Sequence, residues 1–170
     1  MRYYSEISTP IGPITIISDG RALTHVTLRP AHEAVRGTKW HDDDVLLADA
    51  RAQLAAYFAG ELRTFSLPLA PTGSAFQKRV WNALSRIPFG ETRSYGAVAE
   101  SLGLPPGSAR AVGAANRTNP IAIIVPCHRV IGADGTLTGY AGGLERKRFL
   151  LEHEAAVHGV ARQMELGITG

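Results

Sequence analysis

The chain is interrupted at Ala70-Pro71-Thr72-Gly73, and this break constrains the fold more than any other feature. Before it, apolar residues mostly alternate as they do in half-buried strands, with one stretch of helical spacing from Asp43. After it, they recur every three or four residues in segments with marked starts and stops, as in amphipathic helices. Proline and glycine at the junction interrupt both patterns, so it reads as a boundary between a domain at 1–72 and a second at 73–154. A chain of 170 residues accommodates one or two small domains. With 45% hydrophobic and 19% charged residues it has enough apolar material for a packed core.

In the first domain, residues 3–7, 14–18 and 23–28 read as strands, the last two separated by the hairpin signal Asp19-Gly20. A helix follows from Asp43, with Leu47, Leu54 and Phe58 on its apolar face and Gly60 where a helix ends. Residues 65–69 read as extended. The expectation is an α/β (α+β) domain, a small antiparallel sheet covered on one face by a helix.

The second domain reads as mostly helical. Ser74 and Gln77 have the spacing of a capping box, and Phe76, Val80, Leu84 and Ile87 form a stripe that stops at Pro88-Phe89-Gly90. Ser94 is positioned to cap a helix over 95–102 that ends at Gly103, and Ser108 to cap another over 109–116 that closes before Asn119-Pro120. Two short helices joined by a glycine-containing turn make a helix-turn-helix, winged-helix-like in outline. Its second helix is nearly without bulk at Ala109, Ala111, Gly113, Ala114 and Ala115, but carries Arg110 and Arg117. Tight packing inside the protein explains small residues equally well; the functional alternative is a helix thin enough for a minor groove about 6 Å wide. Residues 155–170, with Gly159, Gly167 and Gly170, read as a flexible tail.

Charge is uneven along the chain. Residues 71–150 hold ten basic and four acidic side chains, so most of the basic excess lies in the second domain, while the whole chain carries only +3. A basic block in a near-neutral protein is either a solvated face or the footprint of a polyanion such as DNA. The start Met-Arg-Tyr-Tyr-Ser-Glu has no apolar leader, and no apolar run approaches the roughly 20 residues of a membrane span, so a cytoplasmic protein without membrane contact is expected.

There is one cysteine, Cys127, which excludes an intramolecular disulfide and a multi-cysteine zinc site. The six histidines show no paired metal-ligand spacing, and no metal or cofactor is expected. The thiol is therefore either an inert core group or a working one. It ends the apolar run Asn119-Pro120-Ile121-Ala122-Ile123-Ile124-Val125-Pro126, with His128 beside it. A thiolate nucleophile needs a base or positive surroundings at neutral pH. His128 offers the base, directly or through one water, and Glu154 offers the acceptor that would orient it.

Pro126-Cys127-His128-Arg129-Val130, preceded by Asn119-Pro120 and followed by Gly139-Tyr140-Ala141-Gly142-Gly143, resembles the O6-alkylguanine-DNA alkyltransferases. Phe89-Gly90-Glu91-Thr92-Arg93-Ser94-Tyr95 and Ala109-Arg110-Ala111-Val112-Gly113 keep the family's order and spacing, and the likeness covers about 76–154. The N-terminal part is similar mainly in Thr9-Pro10-Ile11-Gly12 and in its strand and helix order. The resemblance implies a protein that binds double-stranded DNA through the minor groove, flips O6-alkylguanine out of the stack, and accepts its alkyl group on Cys127 once. It implies DNA contacts from Tyr95, Ala109, Arg110, Gly113 and Arg117, with Arg110 filling the gap left by the flipped nucleotide. His128 and Glu154 would move the proton, Asn119 would bridge the turn before the cysteine, and Tyr95 would also stabilise the leaving base. Tyr140, Ala141, Val130 and Asn116 would form the substrate pocket. Position 141 is serine in some members, so only the backbone N-H of Ala141 is left to contact O6. No obligate protein partner is implied, and cooperative binding of several copies along DNA stays open.

Two other classes compete. A thiol-dependent hydrolase using Cys127 and His128 would turn over, whereas an S-alkylcysteine has no carbonyl for water to attack. A non-catalytic lesion-binding module of the same fold would lack the reactive cysteine that stands here in full motif context.

Overall fold

A computed structural model of the chain describes residues 2–37 and 39–165. Strands β1 (Arg2–Thr9), β2 (Gly12–Ser18) and β3 (Leu23–Thr27) form an antiparallel meander with β2 in the middle. β2 is covered on both faces, which is why Ile14, Thr15, Ile16 and Ile17 are all buried rather than alternately so. The β2–β3 connection takes four residues, not just the two of the hairpin signal. Asp19 Oδ1 accepts the backbone N-H groups of Arg21 and Ala22 at 2.8 and 2.9 Å, and Gly20 supplies a left-handed conformation at φ +100°.

Two elements had no clear signal in the sequence. A single helical turn, α1 (Ala31–Ala34), carries the chain across to β4 (Trp40–Asp42), which pairs parallel to β1 and gives the order β3-β2-β1-β4. The sheet is thus mixed rather than purely antiparallel. Three residues are too few to display a period of two, and a parallel partner needs a crossover rather than a tight turn.

Helix α2 (Ala48–Phe58) begins later than Asp43, because Asp43 instead organises the preceding turn: its side chain accepts from Leu46 N at 2.8 Å. Its buried residues Ala50, Leu54 and Tyr57 join the common core, and Gly60, at φ +77°, ends it as expected.

The exposed edge of β3 is closed by the chain itself. Leu23 bonds Pro68 O and Ala70 N, and Val26 bonds Pro120 O and Ala122 N, all at 2.8 to 3.0 Å. The first pair docks the expected extended segment. The second lays the approach to Cys127 along the same strand, so the two halves share backbone hydrogen bonds and no open edge is left at this point.

In the second half, α3 (Ala75–Leu84) starts with the full capping box: Gln77 N donates to Ser74 Oγ at 3.1 Å and Ser74 N to Gln77 Oε1 at 2.8 Å. Strand β5 (Arg93–Ser94) leads into α4 (Tyr95–Ser101), whose cap Ser94 accepts from Ala97 N. Helix α5 (Ala109–Arg117) completes the helix-turn-helix, and Trp81 Nε1 donates to Ala115 O at 2.9 Å, pinning α5 to α3. Ser108 does not cap α5. It is already in helical conformation, and its hydroxyl donates to Pro105 O at 2.6 Å. After a short 3-10 turn (Cys127–Arg129), β6 (Val130–Ile131) pairs parallel with β5.

The last helix, α6 (Leu144–Glu165), corrects the tail expected at 155–170. It continues well past Glu154 because the sequence there is rich in helix formers, and one glycine, Gly159, costs only about 1 kcal/mol. Val157 packs on the core, and a Cβ at Gly90 would stand 2.7 Å from His158 Cβ, so a glycine is required where α6 meets the loop after α3. Residues 166–170 of that expected tail lie outside the described residues.

The two serines predict different losses. Ser74→Ala should destabilise the chain by about 1 kcal/mol, the usual worth of a lost cap. Ser108→Ala, at an uncapped position, should stay within about 0.5 kcal/mol of wild type. Urea denaturation of both variants checks this; equal losses would contradict it.

Candidate active site

The segment between α5 and Cys127 is wound tightly by one side chain. Asn119 Oδ1 accepts from Ile121 N at 3.0 Å, and its Nδ2 donates to Val125 O at 2.8 Å, bridging the turn as expected. Within that turn Ile123 has φ +70°, a conformation that costs a β-branched residue of order 1–3 kcal/mol. The strain is held by burial and by the backbone bonds of Ala122 to Val26. Cys127 then opens the 3-10 turn, and Asn116 Nδ2 donates to its carbonyl at 3.3 Å.

Behind the cysteine lies a buried ionic cluster. His128 is fully buried and Glu154 is 1% exposed. His128 Nε2 and Glu154 Oε2 are 2.6 Å apart. Glu154 also accepts from Arg129 (Nε to Oε1, 2.7 Å; Nη2 to Oε2, 3.1 Å) and from the Tyr57 hydroxyl (2.6 Å to Oε2), with Gly90 N 3.5 Å from Oε1. Arg129 further donates to Ile87 O at 2.7 Å. The carboxylate is thus surrounded by donors from α2, the loop after α3 and the 3-10 turn.

These contacts fix the protonation states. Burial would raise the Glu154 carboxyl, but the hydrogen bonds from His128 and Arg129 and the guanidinium charge of Arg129 outweigh it and hold the group well below the usual carboxylate range. An ionised carboxylate only accepts, so Nε2 of His128 carries the hydrogen and Nδ1 is the basic atom. Burial, aided by the charges of Arg129 and Lys147, keeps His128 below its ordinary value despite Glu154, so the resting imidazole is neutral at physiological pH. Cys127, 6% exposed, is raised by burial even though the Asn119 amide and the Lys147 ammonium pull it down. At rest the pair is thiol and neutral imidazole.

Among the described residues, the buried side-chain polar atoms without a protein partner are Asn116 Oδ1, His128 Nδ1 and Tyr140 Oη. All three belong to residues around Cys127. Unpartnered buried polar atoms are costly and rare, and their gathering at one thiol marks a site for a polar ligand. An open cavity of about 1020 Å³ reaches Cys127 and is lined there by Asn116, Arg117, Asn119, Tyr140 and Ala141. It extends over β3 to Arg2 and Trp40.

The remaining expected site residues sit elsewhere. Val130 does not line this cavity: it is fully buried, paired with Arg93 in the small sheet, and its carbonyl accepts from Lys147. Tyr95 begins α4, and its hydroxyl donates to Thr138 O at 3.0 Å. Gly113 faces the Tyr95 ring, where a Cβ would stand 3.7 Å away. Ala109, Arg110, Ala111, Ala114 and Arg117 are exposed along one side of α5, whereas Val112, Ala115 and Asn116 are buried.

Three residues of the site had no role in the sequence reading. Arg129 stands inside the motif itself. Lys147 is buried, donates to Val130 O and Thr138 O at 2.6 and 2.7 Å, and is lowered by burial to about 8. Lys147, Leu150 and Glu154 share one face of α6 at intervals of three and four, so two charges on a buried stripe were a readable signal. Tyr57, far away in sequence, gave none.

Among the described residues, no group of three or more His, Cys, Asp or Glu is placed to hold a metal ion, and no helix is long and apolar enough to cross a membrane.

Comparison with known proteins agrees with this geometry along nearly the whole chain. Residues 2–71 match the ribonuclease-like domain of 6-O-methylguanine DNA methyltransferase, and residues 75–156 match its DNA binding domain. A methylated-DNA–protein-cysteine methyltransferase of Methanosarcina acetivorans is 52% identical over 155 residues, spanning 91% of this chain and 99% of its own. One from Mycobacterium bovis is 56% identical over 155 residues, 91% and 93% of the two chains. The crystal structure of Mycobacterium tuberculosis OGT in complex with DNA superposes with a TM-score of 0.83 at 54% identity, covering 91% of this chain and 94% of that one. Both halves matching in order, at this identity and coverage, mean that the chain belongs to the 6-O-methylguanine DNA methyltransferase family.

Proposed function

We propose that the chain repairs DNA by moving the alkyl group of O6-alkylguanine onto Sγ of Cys127 in one in-line displacement, with no cofactor. The observation that carries this reading is the buried Glu154–His128 pair next in sequence to Cys127, whose 2.6 Å contact at Nε2 leaves Nδ1 without a protein partner and free to act as a base. The S–C bond forms as the C–O6 bond breaks. The thiol proton passes to His128 Nδ1, directly or through one water, and Glu154 stabilises the imidazolium. Guanine leaves as its anion, and Lys147 holds positive charge near the forming thiolate. The product is a thioether that water does not cleave, so each molecule acts once. Sites of action inside the cell, with the DNA, go with this reading.

The DNA-facing surface is α5. Its exposed row of alanines with Arg110 and Arg117 suits a narrow groove, and the DNA-bound relative supports duplex DNA as the partner. Reaching a base inside the duplex requires flipping it into the cavity beside Tyr140 and Ala141. Arg110 fills the vacated stack. Tyr95 aids rotation of the nucleotide, and to bond the base its hydroxyl exchanges Thr138 O for the purine.

Intact-mass spectrometry after incubation with O6-methylguanine DNA should show one added methyl group, located on the Cys127 peptide, with repair stopping when transferred methyl equals protein. Cys127→Ser should show no transfer while still binding damaged DNA. Continued turnover would move the chain to the hydrolase class.

His128→Ala removes the internal base, so thiolate must then come from bulk hydroxide. Its transfer rate should be far below wild type and rise about tenfold per pH unit through the range below the thiol's raised titration point. A pH-independent rate in this variant would contradict the proton path.

Arg110→Ala should slow repair of duplex DNA much more than reaction with the free modified base, where nothing is flipped. Rates on the two substrates decide it: equal losses would make Arg110 a packing residue.

A further inference from the structure

We propose that Tyr57, on helix α2 of the N-terminal domain, is a positioning residue of the transfer site: its hydroxyl fixes the same Glu154 oxygen that orients His128. The inference rests on the alkyl-transfer reading above and extends it to the domain that holds neither the thiol nor its proton relay.

The geometry leaves the hydroxyl one task. Tyr57 is fully buried, and its hydroxyl donates to Glu154 Oε2 at 2.6 Å, the oxygen that also accepts from His128 Nε2 at 2.6 Å. The ring is held from several directions. Phe58, Phe89 and His153 meet it edge-on at 5.2, 6.1 and 5.2 Å, Phe65 lies tilted at 5.6 Å, and His153 Nε2 is 2.7 Å from the Tyr57 carbonyl. Such packing specifies where the hydroxyl points. The torsion that turns a carboxylate is soft, so its orientation is set by its partners. Arg129 forks across both oxygens and fixes the plane of the group. Tyr57 and His128 divide Oε2 between them, so the tyrosine determines how much of that oxygen's charge is available to the imidazole.

Tyr57 remains a donor at every working pH, because burial and the neighbouring Glu154 charge push its own ionisation far up. The titratable and charged groups facing the His128–Glu154 pair are Arg129, Lys147, Cys127, Tyr140 and Tyr57 itself, with His153 beside the ring. Of these, Tyr57 is the one that can lose its contact to Glu154 without a change of charge or ring shape. Removing the hydroxyl strengthens the pull of Oε2 on the His128 proton and makes the imidazole more basic. The acid limb of the rate profile then moves to higher pH, while the loosened carboxylate slows the reaction.

The test is Tyr57→Phe, which keeps the ring and its packing. Transfer rates are measured from pH 5 to 9 on methylated duplex DNA and on free O6-methylguanine. The expected result is a loss of about three- to tenfold, the net scale of one intramolecular hydrogen bond. The loss should be equal on both substrates, largest at low pH, and should nearly vanish when Tyr57→Phe is made in a Glu154→Gln background. An unchanged rate and pH profile, whatever happens to the melting temperature, overturns the proposal, as does a loss confined to duplex DNA or one that adds fully to Glu154→Gln. Should Tyr57→Phe fail to fold, 3-fluorotyrosine at position 57 keeps the shape and strengthens the donor, and it should move the acid limb to lower pH; no shift, or a shift upward, overturns the proposal. Absence of transfer by the wild-type chain would instead refute the alkyl-transfer reading, so the two failures are distinct.

Discussion

A carboxylate taken out of water has to be surrounded by donors, and the fold around Glu154 is organised by that demand. Leaving such a charge unpaired costs several kcal/mol, and here both oxygens are met, by Arg129, His128, Tyr57 and the more distant Gly90 N. These donors come from three separate stretches of chain, while the acceptor sits on α6. The loop after α3, the turn at Cys127 and α2 must therefore converge on α6. Arg129 extends the constraint by holding Ile87 O in the loop after α3 and lying 5.6 Å from the Phe89 ring centre. His128 is fixed in position and in tautomer by the same oxygen. The catalytic orientation is a by-product of satisfying the buried charge.

The sheet domain is tied to this centre on both sides. Val26 hydrogen-bonds Pro120 and Ala122 on the strained approach to Cys127, and Tyr57 hydrogen-bonds Glu154 behind it. Asn119 holds the same approach from inside. The strain at Ile123 persists because these bonds over-determine the segment. A domain with no reactive residue thereby fixes the thiol from in front and the proton relay from behind.

Much of this was legible in the sequence, in proportion to how local each feature is. Cys127 and His128 are adjacent and the capping box of α3 lies within four residues, so both were visible in the sequence, while the working role of the pair and the bridging role of Asn119 came from the family resemblance. The helix-turn-helix followed from its glycine and proline punctuation. Ser108 misled because a serine before a helix can bond the preceding turn as readily as cap the helix. The α6 extension was missed because glycine was weighed as a breaker, whereas contacts of Val157 and His158 with distant loops decide the outcome. β4 and Tyr57 were out of reach for a common reason: each is defined by a partner far along the chain, one by pairing with β1 and the other by a carboxylate 97 residues away.

The resting electrostatics suit a protein that is used once. A repeatedly acting cysteine hydrolase profits from a standing thiolate and an open path for water. Here burial keeps the thiol protonated and the imidazole neutral, so the nucleophile is quiet toward stray electrophiles and oxidants. Lys147, raised in charge preference by a thiolate at Cys127, supplies the field that favours ionisation once a proton acceptor is engaged. On the alkyl-transfer reading, a bound base completes the arrangement by filling the cavity and giving the unpartnered atoms of Asn116 and Tyr140 a polar neighbour. The energetic cost of those unpaired groups in the free protein then becomes selectivity, because only a ligand that satisfies them recovers it. The neutral thioether left on Cys127 no longer ionises, so Lys147 and His128 lose the charge they were arranged to stabilise. The site that resulted from satisfying one buried carboxylate has no further reaction to perform.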